Sequence, residues 1–98
     1  MTEPALHVGA NAERTTTVRL SGEVAAGGIA AVRAACESAG GSGPLIVDLT
    51  GVTYLDSAAV DLLFEVAADR GLELVLGPGC AVFPVVRVSG LDQVATVR

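Results

Sequence analysis

The apolar residues change their spacing several times along the chain, and this change constrains the fold more than any other feature. Residues 45–49 read Leu-Ile-Val-Asp-Leu, a nearly continuous apolar run that is typical of a central strand covered on both faces. In residues 29–39 and 57–70 the apolar residues recur at intervals of three and four, which predicts helices with one buried face. A chain that alternates between these periods is expected to form a sheet with helices packed on it.

Weaker patterns predict the remaining elements: strands at 6–10, 15–20 and 72–76, a helix at 81–89, and a short last strand at 94–97. Residues 50–55 are predicted to be a loop or a short extension of the strand before them. The resulting order, β-β-α-β-α-β-α with or without a final strand, indicates an α/β fold with parallel strand pairs and right-handed crossovers. Since no repeat or long linker divides the chain, residues 1–98 are expected to form one domain.

The charge balance argues against a nucleic-acid or membrane partner. The net charge is -5, aromatic residues make up only 3% of the chain, and none of the six basic residues is adjacent to another. Binding to phosphates requires basic clusters. The sequence also lacks a signal pattern at its start and an apolar run approaching the ~20 residues of a membrane span. We therefore expect a cytoplasmic protein that binds no nucleic acid and does not insert into a membrane.

The residues that commonly carry catalysis are sparse. His7 is the single histidine and lies near the start of the chain, and no G-x-S-x-G motif or lysine is present. Without lysine, the glycine-rich stretches at 40–43 and 77–79 cannot form a P-loop. Cys36 and Cys80 have no metal-ligand or redox spacing and are expected to be reduced, mostly buried thiols. The chain is therefore not expected to be an enzyme or to bind a metal or cofactor.

The most informative segment spans residues 47–60, where a buried strand leads through a short loop into a helix that Asp56 and Ser57 open. Serine and aspartate at a helix start accept hydrogen bonds from the first turn, so Ser57 can be a plain N-cap. A helix N-terminus also accommodates a phosphate, and a phosphoserine at position 57 would add a charge of roughly -1.5 to -2 about one turn from Asp61. Both interpretations fit the pattern.

A second candidate feature is an acidic stripe on the helix of residues 57–70. Asp61, Glu65 and Asp69 recur at spacings of four, so they share one helix face. Leu62 is predicted to lie beside this stripe and away from the core face formed by residues 60, 63, 64 and 67. The stripe is either a plain solvated face or, with Leu62, a docking point for a basic and hydrophobic partner surface.

The segment resembles the signature of STAS-domain anti-sigma factor antagonists. Their typical form is an apolar strand, Asp-Leu-Ser-Gly-Val, an apolar pair and then Asp-Ser-Ser-Gly-Leu. Here residues 48–52 read Asp-Leu-Thr-Gly-Val, Tyr54 and Leu55 form the apolar pair, and residues 56–60 read Asp-Ser-Ala-Ala-Val. Residues 18–23, 72–77 and 85–92 also resemble the family. The resemblance implies a STAS-like fold, in which a mixed four- to five-stranded sheet packs with about three helices.

The resemblance also implies a function and a set of partners. Such proteins bind a cognate anti-sigma factor, usually a serine kinase of the histidine-kinase-like ATPase fold, and thereby free a sigma factor. The kinase phosphorylates the serine after the motif aspartate and breaks the complex, and a phosphatase restores it. Carried over, Ser57 is the phospho-acceptor and Asp56 its neighbour at the site. The short edge strand and the acidic surface are compatible with a monomer. The predicted partner-binding residues are Glu23, Asp56, Ser57, Ala58, Ala59, Asp61, Leu62 and Glu65.

The chain departs from the family pattern at two places. Ala58 and Ala59 replace the Ser-Gly pair after the acceptor, and the methyl of Ala59 is expected where the partner approaches. Ala25 stands where the family often has an acidic residue of the partner-binding surface. These departures favour an alternative in which the chain is a constitutive, non-phosphorylated interaction module of a larger signalling or transporter assembly. In that case Ser57 is only a helix cap.

Overall fold

A mixed five-stranded sheet forms the centre of the fold. The computed structural model describes residues 7–10, 17–39 and 43–98. The strands, in their order across the sheet, are β1 (His7–Ala10), β2 (Thr17–Val24), β3 (Leu45–Leu55), β4 (Leu72–Val75) and β5 (Thr96–Val97). β1 is antiparallel to β2, and the other neighbouring pairs are parallel. The predicted mixed sheet, with its short N-terminal edge strand, is confirmed.

The described residues form four α-helices beside the sheet: α1 (Ile29–Ser38), α2 (Ser57–Arg70), α3 (Phe83–Ser89) and α4 (Leu91–Val94). A 3-10 turn at Ala26–Gly28, here called the η1 turn, leads directly into α1. The three predicted helices are confirmed. The four-residue α4 was not expected, and it limits the last strand to two residues. Two predicted features, the glycines that end α1 at 40–41 and the first residues of the N-terminal strands, lie outside the described residues.

The core is one apolar cluster built from strand and helix side chains. In β3, Leu45, Val47 and Leu49 are fully buried, whereas Ile46 and Asp48 between them are only half-buried. The expectation that both faces of this strand are covered is therefore wrong, because only alternate residues reach the core. The two thiols follow the prediction closely: Cys36 is buried and Cys80 is half-buried, and neither forms a disulfide.

β3 is longer than expected because it contains two bulges. Two steps along β2, from Arg19 to Ser21, match three along β3, from Asp48 to Gly51. A second extra residue lies between Val52 and Tyr54. Each bulge shifts the side-chain alternation by one residue, so the buried positions after Leu49 are 52 and 55. Of the two predictions for residues 50–55, the extension of the strand is confirmed and the loop is wrong. The bulges remove the period of two by which a strand is recognised.

The first bulge is held by Asp48. Its Oδ1 accepts hydrogen bonds from the backbone N–H of Thr50 at 2.9 Å and from the Thr50 hydroxyl at 2.7 Å. Arg19 of β2 places its Nε 3.7 Å from Oδ2. Burial opposes ionisation of Asp48, but the Thr50 hydrogen bonds and the Arg19 charge outweigh it and lower its pKa. Asp48 therefore fixes the bend of β3 as a structural carboxylate.

Gly51 is the position at which a side chain would crowd this bulge. A Cβ there would lie 3.0 Å from the Cβ of Ser21 on β2, which is attached directly to the backbone. We expect Gly51→Ala to lower the free energy of unfolding by about 1–3 kcal/mol, the usual cost of overpacking. Gly27→Ala is the matched control, since a Cβ at Gly27 meets nothing within 4 Å. Urea unfolding of both variants tests this, and equal stabilities would show that the bulge adapts without cost.

Candidate functional site at the start of helix α2

Asp56 is the N-cap of α2. Its backbone is extended (φ -96, ψ -177), and its Oδ1 accepts a hydrogen bond from the N–H of Ala59 at 2.9 Å. Its carbonyl oxygen accepts the first intrahelical bond from the N–H of Val60. Ser57 is consequently the first residue of the helix. The interpretation of Ser57 as the N-cap is wrong, because the preceding residue occupies that position.

The second carboxylate oxygen of Asp56 reaches a different part of the chain. Oδ2 accepts a hydrogen bond from the backbone N–H of Ala26 in the η1 turn at 2.9 Å. The N–H of Asp56 in turn donates to the carbonyl oxygen of Val24, the last residue of β2, at 3.2 Å. Asp56 therefore ties the end of β2 and the η1 turn to the start of α2. Sequence analysis identified Asp56 but missed Ala26, because the contact is made by a backbone N–H that leaves no side-chain signal.

Ser57 is left exposed by this arrangement. Its side chain lies at the surface, and its hydroxyl makes no hydrogen bond with any residue that the structure describes. The N–H groups at the start of an α-helix have no intrahelical acceptor and create a positive potential there. A hydroxyl in this position is open to a modifying enzyme, and the N–H groups beside it favour an anion such as a phosphate.

The two alanines after Ser57 differ in position. Ala59 is 2% exposed and belongs to the core, whereas Ala58 is half-buried. The expectation that Ala59 contacts a partner and that its methyl obstructs the approach is therefore wrong. The methyl points into the protein, and only Ala58 retains a surface that a partner could touch.

Leu62 is also a core residue. It is 2% exposed and packs in the central apolar cluster. The prediction of an exposed Leu62 beside the acidic stripe is wrong, and so is its assignment as a partner-binding residue. The buried stripe of α2 consists of Ala59, Leu62, Leu63 and Val66, one residue before the predicted stripe. Both stripes satisfy helical spacing, so periodicity could not distinguish them.

The acidic stripe is exposed, but its middle member is paired. Asp61, Glu65 and Asp69 all lie at the surface of α2. Arg33 of α1 donates a hydrogen bond from Nη1 to Oε1 of Glu65 at 2.8 Å. This hydrogen bond and the Arg33 charge lower the pKa of Glu65. Asp61, one turn from Ser57, forms no ion pair within the described part of the chain. Asp61 thus contributes an uncompensated negative charge near Ser57.

Glu23 lies at the same end of the sheet as Ser57. It is exposed on β2 and pairs in register with Tyr54 of β3. The next residue, Val24, carries the carbonyl oxygen that accepts from Asp56. The structure therefore brings Glu23, Asp56 and Ser57 together around the junction of β2, β3 and α2. It also places Tyr54 there, which the sequence analysis did not single out as a site residue.

Among residues 7–10, 17–39 and 43–98, no group of three or more His, Cys, Asp or Glu side chains is arranged to hold a metal ion. Nor does any helix in these ranges have the length and apolar character needed to cross a membrane. The start of α2 remains the feature with the clearest chemistry.

Comparison with known proteins agrees with this fold. The family described as "Mlab, STAS domain" matches residues 8–97, so the chain belongs to the STAS domain family. No curated protein matches it. One similar solved structure is that of an anti-sigma factor antagonist from Mycobacterium paratuberculosis, with 20% sequence identity and a TM-score of 0.70. The match covers 97% of this chain and 85% of that chain. The predicted α/β, STAS-like fold is confirmed.

The two hydrogen bonds of the Asp56 carboxylate can be separated by substitution. Asp56→Ala removes both, and we expect it to lower the free energy of unfolding by about 1–2 kcal/mol, the upper range for a lost N-cap. Asp56→Ser retains a capping oxygen for Ala59 but is too short to serve Ala26 as well, so it should lose less. Urea unfolding gives the stabilities, and amide hydrogen exchange by NMR reports the protection of Ala26.

The matched control is Asp61→Ala, which removes an exposed carboxylate one turn along the same helix. Its effect should stay within about 0.5 kcal/mol, as for most surface substitutions. If Asp56→Ala and Asp61→Ala had the same small effect, and Ala26 exchanged at an unchanged rate, Asp56 would not tie the η1 turn to α2.

Proposed function

We propose that this chain is an anti-sigma factor antagonist. It binds an anti-sigma factor that is a serine kinase of the histidine-kinase-like ATPase fold, and this binding frees a sigma factor for transcription. The observation that carries the proposal is the position of Ser57, exposed at the first residue of α2 while Asp56 supplies the cap. The name of the similar structure from Mycobacterium paratuberculosis supports the same role.

In this proposal, phosphorylation of Ser57 by the kinase ends the complex, and a phosphatase restores binding. A phosphate adds a charge of roughly -1.5 to -2 at pH 7. That charge would stand next to the Asp56 carboxylate and one turn from Asp61. The positive potential at the start of α2 offsets part of the repulsion, so the fold survives the modification. The phosphate instead weakens the contact with the partner, whose surface must accommodate a bulky dianion.

The chain acts here as substrate and ligand of a kinase and performs no catalysis of its own. We place the protein in the cytoplasm, where sigma factors and their regulators meet. It acts there as a single-domain monomer. Of the predicted partner-binding residues, Glu23, Asp56, Ser57, Ala58, Asp61 and Glu65 remain in the proposed interface. Ala59 and Leu62 are excluded because the core buries both.

A constitutive interaction module is the second candidate function. The observation that favours it is the η1 turn, whose residues Ala26–Gly28 present no charged side chain beside Ser57. A partner that recognised Ser57 would find no charged side chain in the η1 turn to bind beside it. In this alternative Ser57 is never modified, and binding does not depend on its charge.

Ser57→Asp distinguishes the two functions. The probes are the purified anti-sigma factor kinases encoded in the same genome, each titrated against the chain by isothermal calorimetry. An added carboxylate must be desolvated at the interface, so we expect Ser57→Asp to weaken binding by about tenfold or more. Ser57→Ala should bind within about twofold of the wild type. Thermal unfolding should be nearly unchanged, because aspartate is favourable in the first turn of a helix.

Val88→Asp is the matched control, since it adds the same charge at a position on α3 that is 90% exposed. It should bind like the wild type. Wild-type affinity for Ser57→Asp would contradict the switch and leave the constitutive module. Failure of every such kinase to bind the wild-type chain would contradict the antagonist function itself.

A further inference from the structure

The second bulge of β3 turns Tyr54 toward solvent. Val52 and Leu55 are both buried, with two exposed residues, Thr53 and Tyr54, between them. In a regular strand the residues two apart share a face, so Tyr54 would follow Val52 into the core. The extra residue at the bulge reverses this, and Tyr54 is 51% exposed. Bulges commonly re-aim a side chain beside functional sites.

Tyr54 is held next to the proposed acceptor by the backbone. It is two residues before Asp56 and pairs across the strands with Glu23, whose neighbour Val24 accepts a hydrogen bond from the Asp56 N–H. Exposed side chains of Glu23, Tyr54 and Ser57 thus belong to backbone segments that are joined at this junction, where one partner surface can contact them together. Among the residues whose side chains the structure describes, the other exposed large apolar ones are Phe83, Val88 and Val94, which lie on α3 and α4 and have no such link to Ser57.

The exposed side chains around Tyr54 indicate the chemistry of the partner surface that would cover them. The Tyr54 ring is half exposed, and its hydroxyl makes no hydrogen bond with a described residue. Aromatic side chains that become buried when two proteins bind supply much of the binding energy of the interface. Glu23 and Asp61 are exposed carboxylates without an ion pair among the described residues, and the chain carries a net charge of -5. The complementary surface is an apolar pocket with a basic rim.

We propose that Tyr54 is the aromatic anchor of the complex with the anti-sigma factor kinase. Its ring inserts into an apolar pocket of the kinase, its hydroxyl finds an acceptor there, and the Glu23 carboxylate meets a basic side chain at the rim. This inference rests on the proposed function and adds to it the residue that supplies affinity. Ser57 regulates the complex, while Tyr54 holds it together.

The test uses the full chain and a purified kinase that binds it, with calorimetry for affinity and stopped-flow for the association rate. Tyr54→Ala should weaken binding by about thirtyfold or more, as expected of a central interface aromatic. Tyr54→Phe, which keeps the ring, should lose only a few-fold. Glu23→Gln should mainly slow association and reduce its dependence on salt. Val88→Ala, another exposed apolar truncation, should bind like the wild type.

Folding is checked separately, because Tyr54 lies within a strand. Thermal unfolding of Tyr54→Ala should match the wild type closely, and Tyr54→Thr provides a second truncation with high strand propensity. If both truncations bind as tightly as the wild type while Ser57→Asp is weakened, Tyr54 is no anchor and the proposed function stands. If no kinase binds the wild-type chain, the proposed function is wrong and the anchor is wrong with it.

Discussion

The two hydrogen bonds accepted by the Asp56 carboxylate organise the functional end of this protein. One caps α2 through Ala59, and the other fixes the η1 turn through Ala26. A charged acceptor makes such bonds stronger than neutral ones. Because the Asp56 carboxylate caps α2, the hydroxyl of Ser57 is not needed as a cap, and it faces solvent. One carboxylate thus builds the corner between β2, β3 and α2 and leaves the Ser57 hydroxyl without a hydrogen-bond partner among the described residues.

The bulges of β3 make this corner possible. The strand contains two more residues than the stretch of β2 beside it, and its second half continues to pair with β2 after β4 has ended. Leu55 thereby lies opposite Val24, which places Asp56 within reach of the end of β2. The same irregularity exposes Tyr54. The bend held by Asp48 and the exposure of Tyr54 therefore have a common origin in the register of one strand pair.

The order of strands and helices could be predicted because the apolar period changes clearly along the chain. The rotation of α2 could not, since stripes that begin at Ala59 and at Val60 fit the same spacing, and Leu62 was therefore misplaced. The cap was ambiguous because both Asp56 and Ser57 are good capping residues. The bulges interrupt the alternation by which a strand is recognised. The sequence pattern therefore revealed neither the true end of β3 nor the exposure of Tyr54. Contacts to the Ala26 backbone carry no sequence signal.

In the proposed function, Asp56 leaves Ser57 available as a phosphorylation site. The decisive measurement is intact-mass and phosphosite analysis of the chain purified from its native host, before and after phosphatase treatment. We expect a population about 80 Da heavier, from one added phosphate group, that maps to Ser57 and disappears with the phosphatase. Unmodified protein under both growth and stress conditions, or a phosphate on another residue, would contradict it and favour the constitutive interaction module.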